Sequence, residues 1–175
     1  MSFKSKRFGS KEPDLSLSPE EWDEKARGWI LAKLTRGLRT KHQLRQMLAQ
    51  RSVPEDIAAQ LLDRFEDVGL IDDAHYAKAF TNDRRATRGL AKSALKRELN
   101  LAGVAAEHID SALDDIDSEA DLELATQLIR KRWSSVSSLE RDARQRRLMG
   151  FLGRRGFGGS TIAAAIRTVE QEHAQ

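Results

Sequence analysis

The chain has 175 residues, of which 39% are hydrophobic and only 6% aromatic, so it provides apolar material for small cores rather than one large core. A third of the residues are charged, yet the net charge is only +3, and the absence of cysteine excludes disulfides and cysteine-based metal or redox chemistry. No apolar run approaches the roughly 18 residues needed to span a bilayer, and the basic N-terminal residues precede no apolar segment of the secretory type. We therefore expect a cytoplasmic protein that does not contact a membrane.

A polar, basic segment precedes the first predicted helix. Residues 1–17 show no periodicity, which predicts a flexible basic tail. Ser18 then fits an N-cap, Pro19 fits the first helical position, and Glu21 completes a capping box. This first helix should end at Gly37, because glycine readily takes the left-handed conformation that closes a helix.

Two more helices are predicted before residue 70. Thr40 and Gln43 form a second capping box, and Val53-Pro54 ends the helix that follows it. The third helix should reach Gly69. Its predicted apolar face contains Ile57, Leu61, Leu62, Phe65 and Val68.

The chain then restarts twice in a similar way. Gly69 fits a helix end and Asp72 fits the N-cap of a fourth helix, which should end near Gly89. Helices over residues 91–102 and 105–117 are expected next. A seventh helix should begin near residue 118 and pass residue 132, and the last two are predicted over 138–155 and 160–172.

One apolar pattern occurs three times along the chain without gaps, at offsets of 51 and then 53 residues. Its positions are Leu44, Leu48, Val53, Leu62 and Phe65, then Leu95, Leu99, Val104, Leu113 and Ile116, and finally Leu148, Leu152, Phe157, Ile166 and Val169. Fixed-period similarity indicates one supersecondary unit in series. We predict an all-α fold of three tandem three-helix bundle repeats, helix-turn-helix-like, at residues 18–71, 72–117 and 118–175, in an elongated, curved arrangement.

Basic residues concentrate in the second and third repeats. The candidate binding residues are Arg84, Arg85, Arg88, Lys92, Lys96, Arg97, Arg141, Arg144, Arg146, Arg147, Arg154 and Arg155. For any one of them a solvated helix face is the simpler interpretation. Two clusters at related positions of successive repeats also suit contact with a polyanion or an acidic protein.

Acidic residues separate the two basic clusters. Residues 101–129 contain eight carboxylates and neither lysine nor arginine, and the last helix of the first repeat is acidic as well. Phosphates would repel such a helix in a DNA groove, so sequence-specific base reading is not expected. Any DNA contact should reach the backbone. The acidic stretch 105–123 could meet a partner or pair with the basic clusters.

No catalytic or metal-binding motif emerges. The glycine cluster at 150–159 lacks the lysine and the strand of a P-loop, so we predict helix termination at Gly156 and close helix packing at Gly150 and Gly153. Asp72-Asp73 is explained by capping at a helix start. The histidines His42, His75, His108 and His173 have no metal-ligand spacing. We predict no enzyme, no cofactor and no metal.

The segment 69–80, followed by Arg84 and Arg88-Gly89, resembles the signature of the RecX regulatory proteins. The segment from Leu44 into Val53, echoed from Leu95 into Val104, is also similar to that family, and the resemblance covers about residues 25–170. The motif residues that it marks as structural are Gly69, Leu70, Ile71, Asp72, Asp73, Tyr76 and Phe80.

The resemblance implies a negative regulator of the RecA recombinase. Such proteins have tandem three-helix repeats, bind the RecA–DNA filament, and inhibit ATP hydrolysis and strand exchange, which contributes to control of DNA repair and the SOS response. The resemblance implies no catalytic residues in this chain. We expect a monomer whose partner is the RecA filament, and any contact with single- or double-stranded DNA should be with the backbone. A stand-alone, sequence-nonspecific DNA-binding protein and an adaptor for another long protein are the alternatives.

Overall fold

The computed structural model describes residues 17–174, so the predicted flexible tail lies outside the described residues except for Leu17. Over this range the chain forms nine α-helices, one short 3-10 helix and no strand, which confirms the all-α prediction. The helices are α1 Pro19–Leu34, α2 Lys41–Ala49, α3 Glu55–Asp67, α4 Asp73–Arg88, α5 Lys92–Leu101, α6 Ala106–Leu113, α7 Ser118–Arg132, α8 Arg141–Gly153 and α9 Gly159–Glu172, with the 3-10 helix at Trp133–Ser135.

Both predicted capping boxes are present. The Glu21 N–H donates to Ser18 Oγ at 3.3 Å, while the Ser18 N–H donates to Glu21 Oε2 at 2.8 Å. At α2 the Gln43 N–H donates to Thr40 Oγ1 at 3.1 Å, and the Thr40 N–H donates to Gln43 Oε1 at 3.3 Å. Each cap is worth about 1 kcal/mol, so residues only three apart in sequence help to define where α1 and α2 begin.

The chain divides into two compact units, one up to Tyr76 and one from Ala77 onward. In the first unit, α3 packs against both α1 and α2. The core of this unit is apolar and buried, with Ile30, Leu44, Leu48, Leu61 and Leu62 each at most 1% exposed. The prediction that Val68 lies on the apolar face of α3 is wrong, because this residue is 70% exposed. Helix α3 ends at Asp67, the chain turns at Gly69 with φ 73°, and Ile71 fills the core instead at 1% exposure.

In the second unit, α9 packs against α7 and α8, and α5 packs against α6. One core cluster joins α7, α8 and α9, and its members include Ile129, Leu148 and Val169. All fifteen apolar positions of the predicted threefold pattern are buried, none more than 7% exposed. The apolar pattern thus predicted buried positions correctly along the whole described chain.

Glycines end helices, but the predicted close packing at Gly150 and Gly153 is wrong. A Cβ added at Gly153 would meet nothing within 4 Å, and one at Gly150 would meet only the Arg154 Nη1 at 3.3 Å. No second helix backbone approaches either position. The close approach occurs at Gly156, which has φ 86° and ends α8 as predicted, and where a Cβ would lie 2.6 Å from the Ala94 Cβ.

Two aspartates connect successive helical modules. Asp72 caps its own helix as expected, since its Oδ1 accepts the His75 N–H at 2.8 Å. Asp73 behaves differently, because its Oδ1 accepts the Lys41 N–H at 2.9 Å and so caps α2. Asp121 of α7 does the same for α5, accepting the Lys92 N–H with Oδ2 at 3.1 Å. In both cases a carboxylate near the start of a later helix satisfies the open N-terminus of an earlier one.

Candidate functional site

Two of the predicted binding residues are internal cross-links. The Arg85 Nη1 donates to Asp121 Oδ1 at 2.7 Å, and both side chains are less than 20% exposed. Its Nη2 also donates to the Ala120 carbonyl at 3.2 Å. Arg144 donates to Glu170 Oε1 at 3.2 Å with a similarly low exposure. These guanidiniums join helices, so they are not available to a partner.

Other predicted residues form ion pairs at the surface. Glu98 of α5 lies between Arg84, at 3.9 Å, and Arg88, at 3.6 Å, while Lys96 lies 3.0 Å from Asp110. Arg88 and Lys96 are more than half exposed; because pairs of exposed side chains contribute at most about 1 kcal/mol, a partner can replace theirs. Six further predicted cations make no side-chain hydrogen bond or ion pair with any residue of 17–174. They are Lys92, Arg97, Arg141, Arg146, Arg147 and Arg154.

Two arginine guanidiniums lie over one aromatic ring in the second unit. The Arg155 guanidinium lies 3.9 Å from the centre of the Phe151 ring, and the Arg132 guanidinium lies 4.7 Å from it. The Arg155 Nε donates to the Arg88 carbonyl at 3.1 Å, and its Nη1 donates to the Phe151 carbonyl at 3.1 Å. We name Arg88, Arg132, Arg154 and Arg155 the arginine cluster.

Little negative charge offsets this cluster. Burial lowers the pKa of the Arg155 guanidinium below its usual value, and the positive charges of the other three members lower it further. Within the described residues, the one carboxylate at ion-pair distance from a cluster member is Glu98, which Arg84 shares. Like charges held together without counter-charge favour binding of an anion, such as phosphate or carboxylate groups.

A tight junction fixes the position of the cluster. The Ala91 N–H donates to the Arg155 carbonyl at 3.0 Å, and the Ser93 Oγ donates to the Gly156 carbonyl at 2.6 Å. These bonds join the end of α8 to the start of α5. At the end of α4, Gly89 has φ 61°, and a Cβ there would lie 2.9 Å from a methyl carbon of Leu128 in α7. The ends of α4, α5 and α8 and the side chain of Leu128 in α7 are therefore in direct contact beside the cluster.

Sequence reasoning missed Arg132 and Phe151. Arg132 ends α7 in an Arg-Lys-Arg run between the two predicted clusters, and only the fold brings it to α8. The run itself was a usable signal, because cations in the last turn of a helix are favourable for the helix dipole and often remain accessible. Phe151 carried no such signal, since one aromatic residue in a helix is usually core.

Comparison with protein families identifies two of the modules. Residues 72–113 match the model described as RecX, second three-helix domain, and residues 119–166 match RecX, third three-helix domain. A regulatory protein RecX of Streptomyces coelicolor is 39% identical over 157 residues, which are 90% of this chain and 84% of that protein. The regulatory protein RecX of Mycobacterium avium is 41% identical over 155 residues, covering 88% and 90%. The chain belongs to the RecX family.

Solved RecX structures share this fold. The crystal structure of RecX from Lactobacillus salivarius aligns with a TM-score of 0.75 at 20% identity, over 87% of this chain and 99% of that one. A second crystal structure of regulatory protein RecX gives a TM-score of 0.69 at 24% identity, over 82% and 70%. The predicted resemblance to the RecX family is thus confirmed, together with its tandem three-helix modules.

The RecX signature segment has both buried and exposed members. Ile71 is buried, Tyr76 accepts a bond from Gln43 Nε2 at 3.4 Å, and the Phe80 ring carries the Arg84 guanidinium at 4.9 Å. Leu70, in contrast, is 52% exposed.

The described residues contain neither a membrane-spanning helix nor a metal-binding cluster. Within residues 17–174, no helix is both long and apolar enough to cross a bilayer. The same part of the chain contains no group of three histidine or carboxylate side chains positioned to hold a metal ion.

An anion should stabilise the protein through the arginine cluster. We expect about 1 mM tripolyphosphate to raise the melting temperature by roughly 3 °C, because a ligand that binds only the folded state shifts unfolding. The double variant Arg132→Gln/Arg154→Gln should lose most of this rise, measured by circular dichroism at constant ionic strength. Lys25→Gln/Lys78→Gln, which removes two exposed charges outside the cluster, is the matched control. An equal rise in all three proteins would contradict the site.

Proposed function

We propose that this RecX-family protein binds the RecA–DNA filament and inhibits ATP hydrolysis and strand exchange, and so contributes to control of homologous recombination, DNA repair and the SOS response. The observation that carries the proposal is family membership over about nine-tenths of the chain, with relatives described as regulatory proteins. The protein would act in the cytoplasm as a monomer and by binding alone, without chemistry of its own.

Serial modules suit a long, repetitive partner. In this proposal the repeats at 18–71, 72–117 and 118–175 each contact the filament, so that several weak contacts act together. Linked contacts raise overall affinity because each later contact forms at a high effective concentration. A filament presents the same protomer surface many times, which a row of similar modules can follow.

The arginine cluster is the proposed contact for acidic protein surface or for DNA phosphates. Its charge is poorly offset within the described residues, and Arg132 and Arg154 make no ion pair there. The third helices of the first two repeats are acidic, which supports a contact that does not recognise a DNA sequence. Helix α6 and its C-terminal turn expose Glu107, Asp114 and Asp115, which a DNA groove would repel.

A charge variant tests the proposal. The triple substitution Arg88→Gln/Arg132→Gln/Arg154→Gln leaves Arg155 in place, because Arg155 bonds two backbone carbonyls. We expect the concentration that half-inhibits the single-stranded-DNA-dependent ATPase of RecA to rise at least about tenfold, since several charged contacts are lost. The dependence of inhibition on salt concentration should also become weaker.

The control carries the same charge change elsewhere. Lys25, Arg36 and Lys78 are exposed and lie outside the predicted clusters, so their joint replacement by glutamine should leave inhibition within about twofold of wild type. If the wild-type protein fails to inhibit the ATPase at any concentration, the proposed function is wrong. If only the triple cluster variant still inhibits normally, the function stands and the arginine cluster is not the contact.

Stand-alone DNA binding is the second candidate function, and the contact of two guanidiniums with the Phe151 ring favours it. Aromatic rings next to cations are typical of surfaces that bind single-stranded nucleic acid without sequence preference. A mobility-shift titration with two unrelated DNA sequences, with and without RecA, separates the candidates. Tight binding to both sequences in the absence of RecA would favour this alternative over filament regulation.

A further inference from the structure

The second and third helices of the first two repeats are joined by an ion pair at their outer edges. In the first repeat, Arg45 Nε of α2 lies 3.2 Å from Glu55 Oε1 of α3. In the second, Lys96 Nζ of α5 lies 3.0 Å from Asp110 Oδ1 of α6. Arg45 and Lys96 occupy the same register position of the repeat, one residue after Leu44 and Leu95. The two modules thus close the same helix pair with the same chemistry.

The third repeat has no charge at the corresponding positions. The register places Met149 where the first two repeats have the cation of the pair. On α9, Gly159 and Ala163 stand where those repeats have the carboxylate. Three uncharged residues therefore occupy the positions of the ion pair, so no ion pair joins α8 and α9 at these positions.

A groove opens between α8 and α9 where the ion pair is missing. Its volume is about 300 Å³, and we call it the α8–α9 groove. Ile162 and Ile166, 6% and 5% exposed, lie at its base, while Met149 is 54% exposed along one side. Along α8 the lining residues Arg141, Gln145 and Met149 follow one another at one-turn spacing. That stretch is about 12 Å long, or roughly two helical turns.

The rim of the α8–α9 groove is positively charged. Arg141 and Arg167 line it, are exposed, and make no ion pair or side-chain hydrogen bond with another described residue. The one carboxylate in the lining, Glu170, already accepts bonds from Arg144 Nε at 3.3 Å and Nη2 at 3.2 Å. An occupant should therefore combine apolar side chains for the base with carboxylates for the rim.

We propose that the α8–α9 groove binds an acidic amphipathic helix of a protein partner. Two or three turns of such a helix would place apolar side chains over Ile162 and Ile166 and carboxylates near Arg141 and Arg167. Docking of an apolar helix face into a groove is a common mode of recognition, and a flexible methionine adapts well to the inserted side chains. An apolar base offers nothing to a phosphate backbone, which disfavours nucleic acid as the occupant.

This site is separate from the arginine cluster. Phe151 follows Met149 by two residues, which corresponds to roughly 200° of helical rotation, so it lies on another side of α8. Arg155 follows the end of α8 and contacts the Phe151 ring. The proposal thus adds a second binding surface and does not depend on the proposed function of the cluster.

The test uses the full-length protein and a synthetic peptide probe. The probe is a fluorescein-labelled peptide of about 18 residues, with leucines along one helical face and glutamates elsewhere; a second probe has lysine in place of glutamate. Binding is measured by fluorescence anisotropy. The closing variant Met149→Lys/Ala163→Asp introduces the ion pair that the second repeat has naturally, so the helix pair should remain folded. Arg45→Met/Glu55→Ala, which removes the pair of the first repeat, is the control.

Wild type and control should bind the glutamate probe at least about tenfold more tightly than the lysine probe, and the closing variant should lose at least about tenfold in affinity. Circular dichroism verifies that all three proteins are folded. Equal affinity of the closing variant, equal affinity for both probes, or no binding by the wild type would overturn the proposal. So would a wild-type dimer in sedimentation that the closing variant dissociates, because the occupant would then be a second copy of the chain.

Discussion

Gly156→Ala should lower the free energy of unfolding by about 3 kcal/mol. Two costs combine in this expectation. Gly156 has φ 86°, a left-handed conformation that costs a residue with a Cβ about 1–2 kcal/mol. The new methyl group would also lie 2.6 Å from the Ala94 Cβ and 3.0 Å from the Ala94 backbone N, and overpacking of this kind costs about 1–3 kcal/mol.

Urea unfolding followed by circular dichroism measures this change. Gly153→Ala is the matched control, because it lies three residues earlier in α8, with nothing within 4 Å of the added Cβ. There the higher helix propensity of alanine should leave stability unchanged or raise it by about 0.5 kcal/mol. The variant Gly156→Ala should also bind tripolyphosphate less well, since its backbone carbonyl is held by Ser93 at the junction beneath the arginine cluster. Equal stability of the two variants would show that the junction tolerates a side chain.

Asp121→Ala should lower the free energy of unfolding by about 3 kcal/mol as well. Its carboxylate pairs with Arg85 and caps α5 through the Lys92 N–H, so both partners lose their acceptor at once. Removing one member of a poorly exposed ion pair leaves the other charge desolvated and uncompensated, which costs about 3–5 kcal/mol when burial is complete. Loss of the N-cap adds about 1 kcal/mol. Because Arg85 and Asp121 are still 17–19% exposed, the cost of the uncompensated charge should be lower than for a fully buried pair.

The comparison for this second prediction is Asp110→Ala. Asp110 pairs with Lys96 at 3.0 Å, but both side chains are more than half exposed, so its loss should cost less than about 1 kcal/mol. A further variant, Asp121→Ala/Arg85→Leu, removes the uncompensated charge and should recover part of the lost stability. If Asp110→Ala and Asp121→Ala destabilise the protein equally, the carboxylate of Asp121 does not hold the modules together.

Local chemistry determined what could be predicted of the fold. Ser18 and Thr40 marked helix starts because a capping box needs only residues three apart. The periodic leucines marked the cores because helical spacing and repeat period are both written in the sequence. Val68 was mispredicted since the end of α3 depends on the turn at Gly69 and on Ile71, which competes for the same core. Periodicity alone does not say where a helix stops.

The candidate site depended on contacts between distant segments. Arg85 and Arg97 look alike in sequence, yet Arg85 is bonded to Asp121, 36 residues away, whereas Arg97 makes no side-chain bond within residues 17–174. A charge count cannot separate the two. Arg132 joins Phe151 for the same reason, through the packing of α7 near the end of α8. The distribution of charge in the sequence therefore predicts which part of the chain is basic. Only the fold shows which of its basic residues are free to bind a partner.

The carboxylate of Asp73 bears on how the protein can be dissected. The proposed first repeat ends at residue 71, but the N-terminus of α2 is completed by an acid two residues beyond that limit. A fragment that ends at residue 71 would leave the Lys41 N–H at the start of α2 without its acceptor, whereas one extended to Tyr76 retains Asp73. In each of the first two modules, a carboxylate of the following module thus completes the N-terminus of the second helix, so a stable fragment should extend past the repeat boundary.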